Sequence, residues 1–401
     1  MTAPRDTTRL LNGFKETQRM KRSLIILLLG LLAALPVGEA RLSCQTVATP
    51  ARAADTPELA AALAAIEKAV EKKRQSLHVP GAALVIVKDD RVVLLKGFGL
   101  REVERKLPVT PDTLFGIGSS TKTFTALAAV ISADEGKLSL EDTPRKFLPY
   151  FKLRDPEANA QVTLRDMLSH RTGLEAYGNH ELSYNSYHTS EEMIRIGMQA
   201  KPTARFRAQG QYNNAMYIAV GEVIGQAQHS TWEAVVQSRI FRPLGMTASN
   251  FSSRVMQQTA DFAWGYDEQG ARLNTFKRDA GAAAGAINSN AKEMGQWVRL
   301  LVGGGSVNGK RLVSAQGWQA MLTRHSDVFD EPYGLGLWIV DPKKVVGQQW
   351  YAHPGTSDGF SANVMFSPEQ KLGFAILANA HGSGSMFYNE VTTIVLGHLL
   401  Q

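Results

Sequence analysis

The apolar and polar positions of this chain alternate between two periods. Thr56 stands as an N-cap, Pro57 at the first helical position and Glu58 in the first turn, and Ala, Leu and Ile then recur at helical spacing as far as Ser76. Residues 82–88 and 91–97 are β-rich runs on either side of Asp89-Asp90, which predicts a hairpin. From Ser119 to about Leu300 the period is helical, over 121–134, 163–169, 214–226, 231–240 and 291–302, with long loops rich in Gly, Asn, Ser and Tyr between. After Gly334 the runs turn strand-like, over 336–340, 359–366 and 372–378, the last two joined by Ser367-Pro368-Glu369-Gln370. An amphipathic helix over 386–399 closes the chain.

This order predicts a mixed α/β (α+β) protein. A single antiparallel sheet is built from both ends of the chain and flanked by the terminal helices, and a helical region is inserted between. The domain expectation is therefore a sheet domain from 56–130 and 331–401 with a mainly helical domain over 131–330.

Composition agrees with a folded protein: 44% of the 401 residues are hydrophobic and 20% charged. The net charge is +7, but residues 1–40 hold six basic against three acidic residues, leaving +4 on the remainder. No basic stretch alternates with aromatic residues, so nucleic acid is not an expected partner.

The first 40 residues have the layout of an export signal: Arg19, Lys21 and Arg22, an apolar run over 24–35, then Pro36 and Gly38-Glu39-Ala40. Cleavage is expected near Ala40, or translation begins at Met20. Residues 41–55 read as a tether, and the bacterial periplasm is the expected location. About twelve apolar residues fall short of the ~20 that cross a bilayer. An uncleaved signal, or a lipidated Cys44 in Leu42-Ser43-Cys44, is the route considered to a membrane. Arg41 stands where a lipidation site wants an aliphatic residue. Cys44 is the single cysteine, so no internal disulfide forms.

The stretch Gly-Ile-Gly-Ser-Ser-Thr-Lys-Thr-Phe-Thr, residues 116–125, places Ser119 and Lys122 three apart at a helix start, where they share one face. A serine hydroxyl needs a base to become a nucleophile, and a lysine serves when burial or nearby positive charge lowers its pKa. About one or two S-x-x-K matches arise by chance in a chain of this length, and Ser289-Asn290-Ala291-Lys292 is a second.

Further groups separate the two pairs. Tyr212-Asn213-Asn214, just before an apolar helix, supplies a second proton carrier and an amide-orienting side chain. His353-Pro354-Gly355 precedes the strand expected from Gly359, and the Thr356 N–H offers a second oxyanion donor. Only Ser119 has both downstream in order.

Other matches read as structural. Tyr177-Gly178-Asn179 lies in a loop, and Lys371-Leu372-Gly373 begins a hairpin strand. The G-x-x-x-x-G-K run at 304–310 meets Arg311 where a phosphate loop needs Ser or Thr. His170, His180 and His188 have no metal-ligand spacing, so no metal or cofactor is expected, and His170 reads as bracing a turn. Trp264, Tyr266 and Trp338 line a cleft or, as the favoured reading, pack in the core.

Three further segments accompany these motifs: Val-Thr-Leu-Arg-Asp-Met-Leu-Ser-His-Arg-Thr-Gly-Leu at 162–174, Ile-Phe-Arg-Pro-Leu-Gly-Met at 240–246, and Tyr-Gly-Leu-Gly at 333–336. With them, residues 59–399 resemble the serine β-lactamase and penicillin-binding superfamily. The resemblance is to the branch containing class C β-lactamases, a D-alanyl-D-alanine carboxypeptidase, D-aminopeptidases and β-lactamase-like esterases. It implies a sheet with terminal helices plus a helical domain.

It also implies Ser119 as the acylated nucleophile, Lys122 as its proton acceptor and Tyr212 as the acid or base shared with Lys122. By the same resemblance Asn214 orients the amide, and the N–H groups of Ser119 and Thr356 form the oxyanion hole beside Gly355. Which of Lys122 and Tyr212 takes the first proton stays open. His353 stands for the third-motif cation, a titratable one, and Pro354 brings no hydroxyl, so carboxylate recognition is weakened.

The expected activity is that of an exported serine hydrolase, foremost a peptidase or amidase on small or unusual peptides: D-residue-containing, cell-wall-like or linearised cyclic. The expected partner is such a small-molecule or short-peptide substrate. A carboxylesterase, a β-lactamase and a non-catalytic penicillin-binding-like protein are the alternatives; the last would lack Ser119, Lys122 or Tyr212, and all three are present.

Overall fold

The structure, a computed structural model, describes residues 56–175, 189–273, 281–345 and 347–400. The leader, the tether, Cys44, Tyr177-Gly178-Asn179, His180 and His188 lie outside the described residues. Among the described residues no helix is long and apolar enough to cross a membrane.

The chain opens with α1 (Pro57–Ser76), where Thr56 accepts a hydrogen bond from the Leu59 N–H, as the cap motif requires. Strands β1 (Gly81–Lys88) and β2 (Arg91–Glu102) follow as the expected hairpin. Its turn residues Asp89 and Asp90 both adopt left-handed backbone, φ 49° and 60°, which matches the twist of a tight hairpin. After β3 (Leu107–Pro108) the chain enters α2 (Thr121–Asp134), and later α3 (Asn214–Ala227) and α4 (Ala291–Val302). The predicted helix over 231–240 is an α-turn, Trp232–Val236, running into a π-helix, Gln237–Phe241.

The last part of the chain holds β4 (Ser326–Val328), β5 (Glu331–Tyr333), β6 (Trp338–Val340), β7 (Trp350–Ser357), β8 (Phe360–Ser367), β9 (Leu372–Ala378) and the closing helix α5 (Ser383–Leu399). These strands join those of the N-terminal hairpin in one nine-stranded sheet, β4-β5-β6-β7-β8-β9-β1-β2-β3. Its pairings are antiparallel.

Strand β1 shows why the sheet is central. Ala82, Leu84 and Ile86 pack with Ile66 and Val70 of α1 and Phe387 and Val391 of α5. The alternate residues Ala83, Val85 and Val87 join the larger core that holds Phe124 of α2 and Trp297 of α4. Both faces are covered, so the strand reads as a continuous apolar run rather than an alternating one.

Two expectations are corrected. His353-Pro354-Gly355 precedes a strand as expected, β8, but it also lies inside a strand of its own, β7. Strands β4 and β5 were not predicted at all. Ser326-Asp327-Val328 and Glu331-Pro332-Tyr333 carry no apolar run, while Pro and Gly argue against a strand at 353–355.

Register explains how β7 tolerates Pro354. On one side β7 pairs with β8 from Tyr351 to Ser357. On the other, β6 pairs only with Trp350 to Ala352. Residues 353–357 are therefore a free edge, where a missing N–H costs no ladder bond.

Candidate active site

The serine of the first motif lies in a 3-10 turn, Gly118–Ser120, that leads directly into α2. The free edge of β7 presses on this turn, backbone against backbone. A Cβ on Gly355 would lie 2.0 Å from the Ile117 carbonyl oxygen and 2.9 Å from the Ser119 nitrogen. A Cβ on Gly118, whose φ is 51°, would lie 2.8 Å from the Thr356 nitrogen. Glycine at both positions is thus what brings the Ser119 and Thr356 N–H groups close together. Ser120 fastens the contact by donating its hydroxyl to the His353 carbonyl at 2.8 Å.

Lys122 is fully buried on the first turn of α2. Its Nζ lies 3.0 Å from Ser119 Oγ and donates to the Ala284 carbonyl at 2.7 Å. Burial lowers its pKa well below the ordinary lysine value. A lysine amine with a lowered pKa gives up its proton more readily, and the Ser119 hydroxyl lies within reach of the lone pair this frees. The Tyr212 ring lies 4.9 Å from Nζ and the Tyr217 ring 5.4 Å.

Tyr212 is held by the loop before α3. Gly210 N–H donates to the Asp327 carbonyl at 2.9 Å and Gln211 N–H to the His170 carbonyl at 2.8 Å. Asn213 caps α3 by accepting from the Met216 N–H, and Asn214 is the buried first residue of that helix. The loop is braced below by buried Asp166, which receives Arg171 at 2.6 Å and Arg207 at 2.7 Å. Burial raises the Asp166 pKa, but hydrogen bonds from Arg207, Arg171 and Thr163 more than reverse this and hold it below the usual value.

His170 braces the same loop, as its sequence context suggested. Its backbone is left-handed, φ 60°, and its Nδ1 accepts the Asn213 N–H at 3.1 Å. Its ring lies among those of Tyr212, Tyr217 and Tyr333, with centroids 4.5, 5.0 and 5.1 Å away. Burial, then the charges of Lys122 and His353, push its pKa well below 6.5.

His353 departs from the cation expected in the third motif. It is fully buried in β7, and burial followed by the Lys122 charge pushes its pKa down to about 3. Its Nδ1 lies 2.7 Å from the Pro354 carbonyl, which can only accept, so Nδ1 carries the proton. The Tyr333 hydroxyl then donates to Nε2 at 3.2 Å. His353 is a neutral, fixed imidazole.

The structure therefore brings Ser119, Lys122, Tyr212 and His353 into one cluster, with Gly355 and Thr356 on the strand beside Ser119. Several members had no sequence signal. The Ala284 carbonyl comes from Ala282-Ala283-Ala284, which reads only as a small-residue run; its partner is a backbone atom. Tyr217 and Tyr333 are buried tyrosines whose position depends on the whole fold. Trp338 belongs to the site, its ring 5.7 Å from Tyr212 and 4.7 Å from His353, against the core reading favoured for it. Tyr266 is buried, as that reading held. Lys371 occupies the turn before β9, and residues 306–311 form a small hairpin. Among the described residues no group of three or more His, Cys, Asp or Glu is placed to hold a metal.

A family model described as Beta-lactamase matches residues 66–396. Protein flp of Staphylococcus aureus (strain N315) is 27% identical over 326 residues, 78% of this chain; the chain spans only 62% of that relative's length. A Beta-lactamase of Psychrobacter immobilis is 24% identical over 355 residues, covering 81% of this chain and 86% of its own. The octameric penicillin-binding protein homologue from Pyrococcus abyssi superposes with a TM-score of 0.73 at 30% identity, over 83% of this chain and 77% of its own. A class C β-lactamase from Rhodobacter sphaeroides gives a TM-score of 0.69 at 20% identity, over 84% and 99%, a likeness of fold alone.

Proposed function

The chain belongs to the Beta-lactamase family, a family of serine hydrolases, and on that premise we propose that it is an exported hydrolase forming an acyl-enzyme at Ser119. The favoured reaction is amide hydrolysis on small or unusual peptides. The observation that carries this reading is the buried Lys122 amine 3.0 Å from Ser119 Oγ, in a setting that lowers its pKa.

In the proposed course, Ser119 Oγ attacks the substrate carbonyl carbon and its proton passes to Lys122 Nζ. The N–H groups of Ser119 and Thr356 hold the resulting oxyanion. Tyr212, next to Lys122, delivers a proton to the departing nitrogen or oxygen as its bond to carbon breaks and receives the proton held by Lys122 in return, so that both groups regain their starting states. A water molecule then repeats the sequence against the acyl-enzyme and frees Ser119.

Carboxylesterase activity is a second reading, favoured by the neutral state of His353. An uncharged imidazole supplies no cation for a substrate carboxylate, so a β-lactamase or carboxypeptidase reaction loses its anchor. The test is a panel of peptides, simple esters and a chromogenic cephalosporin. Turnover of peptides without esters supports the peptidase; the reverse favours the esterase; preferential turnover of the cephalosporin contradicts both.

A further inference from the structure

The hairpin of β4 and β5 carries an aromatic residue in an unusual position. Phe329 is 52% exposed at its tip. With φ of 53°, and 62° at Asp330, it adopts left-handed backbone that glycine or asparagine takes far more readily. A strained, exposed aromatic that stays in place points to use rather than packing. Its ring stacks on Tyr212, centroids 6.2 Å apart at 27°, and Tyr212 in turn stacks with Trp338 at 14°.

This hairpin is tied to the catalytic loop. Gly210 N–H donates to the Asp327 carbonyl at 2.9 Å, Ser326 Oγ to the Ser169 carbonyl at 2.6 Å, and Arg171 Nη1 to the His325 carbonyl at 3.1 Å. Among the described residues, Arg324 pairs with Asp327, Lys344 with Glu331, and Arg171 and Arg207 with Asp166.

We propose that Phe329, Tyr212 and Trp338 form an aromatic wall on the leaving-group side of the site, selecting substrates whose departing group is uncharged and apolar or aromatic. The proposal rests on the hydrolase reading above, and adds the chemistry of the group expelled. The side follows from Tyr212: the group that protonates the departing atom must stand beside it, so the rest of the leaving group lies against the rings around Tyr212. Flat apolar groups stack on such rings. A leaving group ending in carboxylate finds a neutral His353 and, among the described residues, Arg171 and Arg207 held by Asp166.

The test uses matched esters and amides that share one acyl group and expel a benzyl, an ethyl or a carboxymethyl group. The wild-type order of kcat/KM is expected to be benzyl, then ethyl, then carboxymethyl. Phe329→Asn suits the left-handed turn and removes the ring; it is expected to lower the benzyl-to-ethyl ratio about tenfold. Phe329→Tyr keeps the ring and is expected to restore that ratio. Because the ratio compares two substrates on one enzyme, a general loss of folded protein does not move it. A ratio unchanged in Phe329→Asn, or a wild type that prefers the carboxymethyl group, overturns the wall. A wild type that hydrolyses none of the six compounds sinks the hydrolase reading, and the wall with it.

Discussion

Two Ser-x-x-Lys sequences in this chain have the same spacing and opposite fates. Lys122 is fully buried, 3.0 Å from Ser119 Oγ and 2.7 Å from the Ala284 carbonyl. Lys292 extends from the first turn of α4 with its side chain 62% exposed and pairs with Asp112. Its Ser289 partner is buried instead, its Oγ 2.8 Å from Ser249 Oγ, in a cluster with Glu293. The same spacing leaves one serine in the turn that leads into its helix and the other in a strand before its helix; only the surroundings decide whether the amine is buried against the hydroxyl.

The second pair also supports the first. Phe115 and Gly116 pair with Ser289 and Asn288 in a two-stranded ladder, the Ile117 N–H donates to the Ile287 carbonyl, and Thr121 Oγ1 accepts from the Ile287 N–H. The segment that ends in the second pair is thus the wall against which the Ser119 turn is set.

Exchanging one lysine at a time should break this comparison most sharply. Lys122→Met keeps the volume and removes the base, so kcat/KM is expected to fall by ~10²–10⁴; Lys292→Met should leave it within about twofold. Steady-state kinetics on any accepted substrate checks both. Equal losses would show that the buried environment of Lys122 confers no special role.

A smaller effect lies in the pH dependence of stability. His353 is neutral when folded, with a pKa of about 3, and takes a proton in the unfolded chain below about 6.5. Stability contributed by the uncharged imidazole is therefore present above about 6.5 and lost as pH falls toward 3. His170, lowered for the same first cause, adds to this slope. Denaturant midpoints at pH 7, 6, 5 and 4 should decline in the wild type and decline less in His353→Asn. Parallel curves would mean that His353 takes up its proton at the same pH in the folded protein as in the unfolded chain.

Ser289→Ala should cost ~1–2 kcal/mol of stability by removing a buried hydrogen bond to Ser249, with acylation at Ser119 unaffected. Denaturant unfolding and labelling of the same sample separate the two effects. The mildest change is Lys292→Ala, an exposed pair with expected cost within ~0.5 kcal/mol; a larger shift in midpoint would show that α4 depends on that contact.

The parts of the molecule legible in the sequence are those with local causes. Thr56-Pro57-Glu58 announced α1, Asp89-Asp90 the first hairpin, and the apolar spacing of α2 and α4 their bounds. Ser119, Lys122 and Tyr212 were legible because each sits at a helix start with a recognisable neighbour. The strand at 350–357 was not, since Pro354 and Gly355 argue locally against it and only the arrested pairing of β6 makes room for them. The neutrality of His353 was equally hidden, because it comes from burial beneath residues distant in the chain. The Ala284 carbonyl carries no side-chain signal at all, and Phe329 sits on a turn whose strands are too short and polar to read.

The proposed chemistry turns on Ser119 Oγ, and intact-mass measurement after treatment with a fluorophosphonate tests it most directly, with the adduct located by peptide mapping. A single adduct on Ser119 in the wild type and in Ser289→Ala, absent from Ser119→Ala, is the expected result. An adduct that persists in folded Ser119→Ala, or that maps to Ser289, would contradict the assignment of the two pairs.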